Sequence, residues 1–166
     1  MKKPIVLIMC GIFLFAMSCG EKQLDNQLSK KEKAEGFVLL FDGQTSTGWR
    51  GVNKDHFPSN WVVEEGTLHC KESGQGEAGA VDGGDILYTK EFTNFVLRLE
   101  WKISEGGNSG IFYLGKEVAD WPIYRTAPEM QVLDNEKHPD AQLGKDGNRQ
   151  AGSLYDLIPA KPQNAK

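Results

Sequence analysis

The stretch NFVLRLEWKISEGGNSGIFYLG, residues 94–115, decides the fold. Phe95, Leu97, Leu99, Trp101 and Ile103 alternate with Val96, Arg98, Glu100, Lys102 and Ser104. Side chains along a strand alternate between its two faces, so this spacing predicts a strand with one apolar wall and one mostly charged face. The wall demands burial, because moving apolar surface out of water is favourable. The charged face demands water or a polar ligand. SEGGNSG then predicts a Gly-rich turn leading into a second strand. Asn108 and Ser109 in that turn are short hydrogen-bonding side chains, which makes the end of this strand pair a candidate site.

Outward from this pair the chain keeps the same grammar. FVLLFD (37–42), WVVE and TLHC around a Glu65-Gly66 turn, ILYTKEF (86–92), EMQVLD (129–134) and SLYDLIP (153–159) all read as short strands. In EMQVLD the alternation sends Met130 and Val132 one way and Glu129 and Gln131 the other. Between the strands lie the Gly-rich loop ESGQGEAGAVDGGD (72–85) and the polar loop NEKHPDAQLGKDGNRQAG (135–152). With 19 glycines, seven prolines and almost no helical spacing, the chain is predicted to be all-β, an antiparallel sandwich or barrel. About eight strands are legible, fewer than a closed two-sheet jelly roll needs. The expectation is therefore a sandwich incomplete at its C-terminus.

Composition narrows the partners. The 166 residues are 39% hydrophobic and 25% charged, as in an ordinary globular domain. A net charge of −4 argues against nucleic acid, which recruits basic surfaces. Lys2 and Lys3 precede an apolar run that ends at Met17-Ser18-Cys19-Gly20, which has the layout of a signal peptide. Ala16-Met17-Ser18-Cys19 resembles a bacterial lipobox, so residues 1–18 are read as a lipoprotein signal peptide and Cys19 as the lipidation site. Simple cleavage without a lipid is the alternative. Residues 19–36 read as a polar tether, more readily a flexible linker than a helical turn, and residues 37–166 as the β domain. The predicted location is the cell envelope, held to the membrane through the N-terminal lipid only.

Chemistry concentrates in a few places. Glu100 and Glu129 stand on polar strand faces, and paired carboxylates suit acid/base work on sugars. A merely solvated charged face would look the same. Asp134, Asn135, His138 and Asp140 cluster in one loop, and His138 is a candidate base or metal ligand. Asp82 and Asp85 flank Gly83-Gly84, where carboxylates can hold a cation or simply make a turn. No HExxH, CxxC, GxSxG or P-loop pattern is present. Trp121, in the irregular DWP segment, is the best tryptophan to line a pocket, whereas Trp101 reads as core. Tyr155 faces either the core or the site.

Taken in order, GFVLLFDGQTSTGWRG, NWVVEEGTLHC, the 94–115 stretch with its GNSGI, EMQVLDNEKHPDA and GSLYDLIPA resemble the 3-keto-disaccharide hydrolase domain family, formerly domain of unknown function 1080. The resemblance runs from about Phe37 to the C-terminus. It implies a concanavalin A-like jelly-roll β-sandwich. It also implies cleavage of 3-keto-glucosides and 3-keto-disaccharides. A ketone at C3 acidifies the C2 proton, a base removes it, the C1 group leaves, and water adds back. The positions it carries over are Glu129, Glu100 and His138 for proton transfer and orientation. Asn108, Ser109, Gln131, Asp134 and Tyr155 are those that meet sugar hydroxyls. The resemblance leaves the enolate to be steadied either by a divalent cation or by hydrogen-bond donors, with no cofactor required outright. Two other readings stay open: a non-catalytic carbohydrate-binding module, and an inactive truncated fragment.

Overall fold

The computed structural model describes residues 24–71 and 82–163. The proposed lipidation site, Cys19, and its signal segment lie outside the described residues, as does most of the Gly-rich 72–85 loop. No helix among the described residues is long and apolar enough to cross a membrane.

Among the described residues three antiparallel two-stranded sheets carry the fold. Strand β1 (Trp49–Gly51) pairs with β4 (Ile86–Tyr88), β2 (Trp61–Glu64) with β3 (Thr67–Cys70), and β5 (Asn108–Phe112) with β6 (Glu129–Leu133). The β2–β3 hairpin turns at Glu65-Gly66 as expected, with both residues at positive φ, 48° and 73°. Positive φ at both central positions matches the right-handed twist of the flanking strands. Trp49 caps the neighbouring segment by donating from Nε1 to the Leu40 carbonyl at 2.7 Å, and its ring packs edge-on against Tyr88.

The best-packed part surrounds β6. Segment 152–155 runs beside it: Gly152 N and Gln131 N bond the Gln131 and Ser153 carbonyls, and Tyr155 N bonds the Glu129 carbonyl. Leu133, Ala141 and Ala151 close a small core beneath the strand. The β5–β6 register pairs Ser109 with Val132, Ile111 with Met130, Gly110 with Gln131, and Phe112 with Glu129. Paired residues share a face, so Glu129 and Gln131 lie opposite Met130 and Val132, as the alternation predicts.

Four segments differ from expectation. Residues 94–104 form no regular strand, and the strand after the turn starts at Asn108. The 94–104 segment makes no ladder hydrogen bond to any described neighbour, and alternation alone cannot make a strand without one. Its apolar residues still gather on one side: Phe95, Leu97, Leu99 and Trp101, joined by Arg98, line a groove of about 560 Å³ with Ile111, Tyr113 and Met130. The groove is open, and Trp101, expected in the core, is 37% exposed. Residues 37–42 likewise form no strand. Within the expected linker, Lys30–Ala34 forms a short helix, α1. Ser29 and Glu32 cap it reciprocally, Asn26 donates to the Gly66 carbonyl at 2.8 Å, and Arg98 lies over the Phe37 ring. SLYDLIP bends back on itself, with Leu154 bridging to both Met130 and Ile158.

Candidate active site

Glu129 opens β6 on the face it shares with Gly110. The glycine leaves room there: a Cβ built on Gly110 would stand 1.7 Å from Glu129 Oε1. The carboxyl is folded back over the bare backbone of β5. Its pKa is pushed up to about 7, first by burial and then by the negative charges of Asp85 and Asp140. Desolvation and like charges both penalise the ionised form. No protein group among the described residues hydrogen-bonds this carboxyl. A half-buried, unpaired carboxyl that titrates near neutrality is suited to taking and returning protons.

Asp140 is the most firmly held of its neighbours. Tyr155 Oη donates to its Oδ2 at 3.0 Å and Arg149 to its Oδ1 at 2.9 Å. Arg149 also grips Asp156 with Nε and a second nitrogen, at 2.8 and 3.0 Å, and its guanidinium lies over the Tyr155 ring. Burial and the Asp140 carboxylate together raise the Tyr155 pKa. Asp140 sits in the short 3₁₀ turn Pro139–Gln142, which His138 caps by accepting from Asp140 N at 3.2 Å. That bond makes Nδ1 the acceptor and leaves the ring proton on Nε2.

Asp85 comes from the other side, immediately before β4. Its backbone carbonyl accepts from Val52 N at 2.9 Å. Burial of its carboxyl raises its pKa, and its charge acts on Glu129. Asp82, by contrast, is a scaffold. It accepts from Lys54 Nζ at 2.7 Å and Ser59 N at 2.8 Å, and these bonds hold its carboxyl well below the usual range.

The structure therefore brings together Glu129, Tyr155 and, through its cap on the Asp140 turn, His138. Other expected residues stand elsewhere. Glu100 is exposed on the 94–104 segment and is not among the charges acting on Glu129. Asn108 shares the Glu129 face but lies at the far end of the strand, whereas Ser109 points to the opposite, apolar face. Gln131 is 1% exposed, and its Oε1 accepts from Val132 N, so it fills the sheet rather than reaching outward. Asp134 uses its oxygens on the backbone N–H groups of Gly106, Glu136 and Lys137, which closes the turn after residue 134 and depresses its pKa. Trp121 is exposed and lines a pocket beside Asp85. The sequence marks Asp140 as one of a loop cluster and Asp85 as a cation-holding or turn carboxylate, without joining either to Glu129, and gives no sign of Arg149. The Asp140 signal was present in the HPD run, but the approach of Asp85 is a long-range contact that no local pattern encodes.

For a divalent cation the donors do not converge. Among the described residues no three His, Cys, Asp or Glu side chains are placed to share one ion, and both Asp140 oxygens are engaged by Arg149 and Tyr155.

A half-buried carboxyl flanked by two others, on an all-β scaffold, is an arrangement suited to acid/base chemistry. Residues 36–166 match the family described as the 3-keto-alpha-glucoside-1,2-lyase-like domain, and the chain belongs to that family. It is 56% identical over 142 residues to a 3-keto-disaccharide hydrolase of Bacteroides thetaiotaomicron, covering 80% of this chain and 49% of that protein. A crystal structure from Parabacteroides distasonis, titled as that of a candidate glycosyl hydrolase, superposes with a TM-score of 0.67 at 28% identity. That match covers 86% of this chain and 64% of the other. The chain thus spans about half the length of the curated relative it matches.

Proposed function

We propose that this protein cleaves 3-keto-glucosides, 3-keto-disaccharides among them, with Glu129 as the base. The single observation behind this reading is the Glu129 carboxyl: half-buried, without a hydrogen-bond partner among the described residues, flanked by Asp85 and Asp140, and with its pKa pushed up to about 7. Family membership and the name of the Bacteroides relative support the substrate class.

The chemistry asks for little more. Glu129 takes the C2 proton, and the C2–H electron pair enters the enolate conjugated with the C3 ketone. The C1–O bond then breaks as protonated Glu129 hands that proton to the leaving oxygen. Water adds across the C1=C2 bond: its hydroxyl bonds C1 while Glu129 takes its remaining proton and passes it to C2. The net result is hydrolysis. A carboxyl whose pKa sits near the working pH serves both as base and as acid in such a cycle. Tyr155 and Arg149 fix Asp140 beside it, and Asp140 keeps the Glu129 pKa high. On the same reading the scaffold is a concanavalin A-like jelly roll, and the protein is tethered at the bacterial cell envelope through a lipid on Cys19.

Release of 3-ketoglucose from a 3-keto-disaccharide tests the proposal. The wild type is expected to turn over and Glu129→Gln to lose about 10²–10⁴-fold in kcat. Tight binding with no turnover by the folded wild type contradicts it and favours a carbohydrate-binding module. Labelling of the cells' lipoproteins with a fatty-acid probe, lost in Cys19→Ala, tests the anchor.

A further inference from the structure

We infer that the pocket between the Asp82–Asp85 loop and the 117–125 segment is a subsite for the second sugar ring, on the leaving-group side of the bond cleaved. This inference rests on the 3-keto-glucoside reading of the Glu129 site. The pocket has a volume of about 350 Å³, within the range of small-ligand clefts. Its lining includes Asn53, Lys54, Asp85, Trp121, Ile123 and Tyr124. Asp85 is the link between the two places: it lines this pocket, and its charge acts on Glu129. Ile123 of the lining lies beside Gly115 and Ala127, two residues before Glu129, and Glu129 itself does not line the pocket, so a ring seated there adjoins a ring held at Glu129 rather than replacing it.

Both walls are built. On one side Lys54 Nζ holds Asp82 and the Gly83 carbonyl at 2.7 and 3.1 Å, and Trp61 Nε1 holds the Gly84 carbonyl at 2.8 Å. On the other, Glu117 receives a two-pronged bond from Arg50, at 2.7 and 2.5 Å, and a third from Asn53 N at 2.7 Å. The Asn53 side chain donates to the carbonyls of both Val118 and Trp121, each at 3.1 Å. Ile123 anchors the segment from below, 7% exposed. This fixed segment presents two large aromatic rings to solvent, Trp121 at 47% and Tyr124 at 49% exposure. Exposed aromatic rings on a rigid loop, beside a carboxylate that accepts hydroxyl hydrogen bonds, make an apolar face with a polar edge. The C–H face and hydroxyl rim of a pyranose fit that combination.

The test compares two substrates: a 3-keto-disaccharide, and methyl 3-keto-glucoside, whose methyl aglycone cannot fill the pocket. In Trp121→Ala and in Tyr124→Ala the ratio of kcat/KM for the disaccharide to that for the methyl glucoside is expected to fall about tenfold, carried by KM. Trp121→Phe, which keeps a ring, is expected to retain most of the ratio. An unchanged ratio in both alanine variants overturns the subsite. If the wild type turns over neither substrate, the catalytic reading fails first. The subsite is then read by fluorescence titration with maltose: a saturable change in the wild type that is lost in folded Trp121→Ala upholds it, and no saturable change in the wild type overturns it.

Discussion

The Glu129 carboxylate occupies the space where a side chain on Gly110 would stand. The two residues share a face of the β5–β6 hairpin, and a Cβ on Gly110 would come within 1.7 Å of Glu129 Oε1 and 2.6 Å of Cδ. Under the proposed mechanism Gly110 is thus a positioning residue for Glu129. Gly110→Ala is expected to fold, because its obstacle is the far end of a flexible side chain, but to displace the carboxylate. The expected loss is roughly 10²-fold in kcat, the size of effect that a displacement of about 1 Å brings. Steady-state kinetics beside a circular dichroism melt check it. A fully active, well-folded alanine variant contradicts this role.

Stability follows the same carboxyl in pH. The folded Glu129 pKa is raised, to about 7, from an ordinary value of 4.5. The folded state therefore binds the proton more tightly than the unfolded chain. Its contribution is fully favourable below about pH 4.5 and is lost as pH rises through 7. Glu129→Gln removes that loss. It is expected to match the wild type near pH 4 and to exceed it at pH 8 by roughly 1–2 kcal/mol, discounted for the water that reaches the group. Urea titrations at the two pH values measure this.

Activity should carry the mark of the neighbouring charges. If ionised Glu129 is the base, kcat/KM rises about tenfold per pH unit on the acid side and levels near pH 7. Asp140→Asn and Asp85→Asn each remove a charge that holds the pKa up. Both are expected to move the acid limb to lower pH, and a limb that stays in place in both variants contradicts the electrostatic coupling.

The clamp on the 117–125 segment predicts a different signature. Arg50 and Glu117 are each 29% exposed at the side chain, so their ion pair is partly shielded from water. Arg50→Met leaves Glu117 with only the Asn53 N–H. The expected cost is about 1–2 kcal/mol of stability, together with a raised KM for the disaccharide and a smaller change in kcat. Thermal melts and Michaelis plots separate these effects.

The open groove lined by Phe95, Leu97, Leu99 and Trp101 makes its own prediction. Contiguous apolar surface of this kind binds hydrophobic dyes and promotes association. The isolated chain is expected to enhance anilinonaphthalene sulfonate fluorescence, and Leu97→Lys with Leu99→Lys to reduce the enhancement severalfold while leaving the Glu129 face untouched.

Local pattern reached some of this architecture and missed the rest for definable reasons. The Glu65-Gly66 hairpin, the faces of EMQVLD and the shared face of Phe95 to Trp101 all follow from period-two spacing, which a sequence displays directly. The absent ladder along residues 94–104 does not, since a strand needs a partner as well as a pattern. Asp134 and Gln131 were polar residues in a suggestive place, but one closes a turn and the other packs within the sheet. Asp85 and Asp140 reach Glu129 from 44 residues before and 11 residues after it. Only the folded chain makes that meeting visible, and Ser29 with Glu32 shows the converse, a capping box legible in the sequence and read there as linker.

The most direct test is exchange of the C2 hydrogen. A 3-keto-glucoside incubated with the protein in deuterium oxide is followed at the C2 position by proton NMR, in wild type and in Glu129→Gln. Wild-type protein is predicted to wash out the C2 proton at or above the rate of cleavage, and Glu129→Gln to leave it in place over the same period. Exchange at the wild-type rate in Glu129→Gln, or wild-type cleavage that retains the C2 hydrogen in the product, would contradict Glu129 as the base.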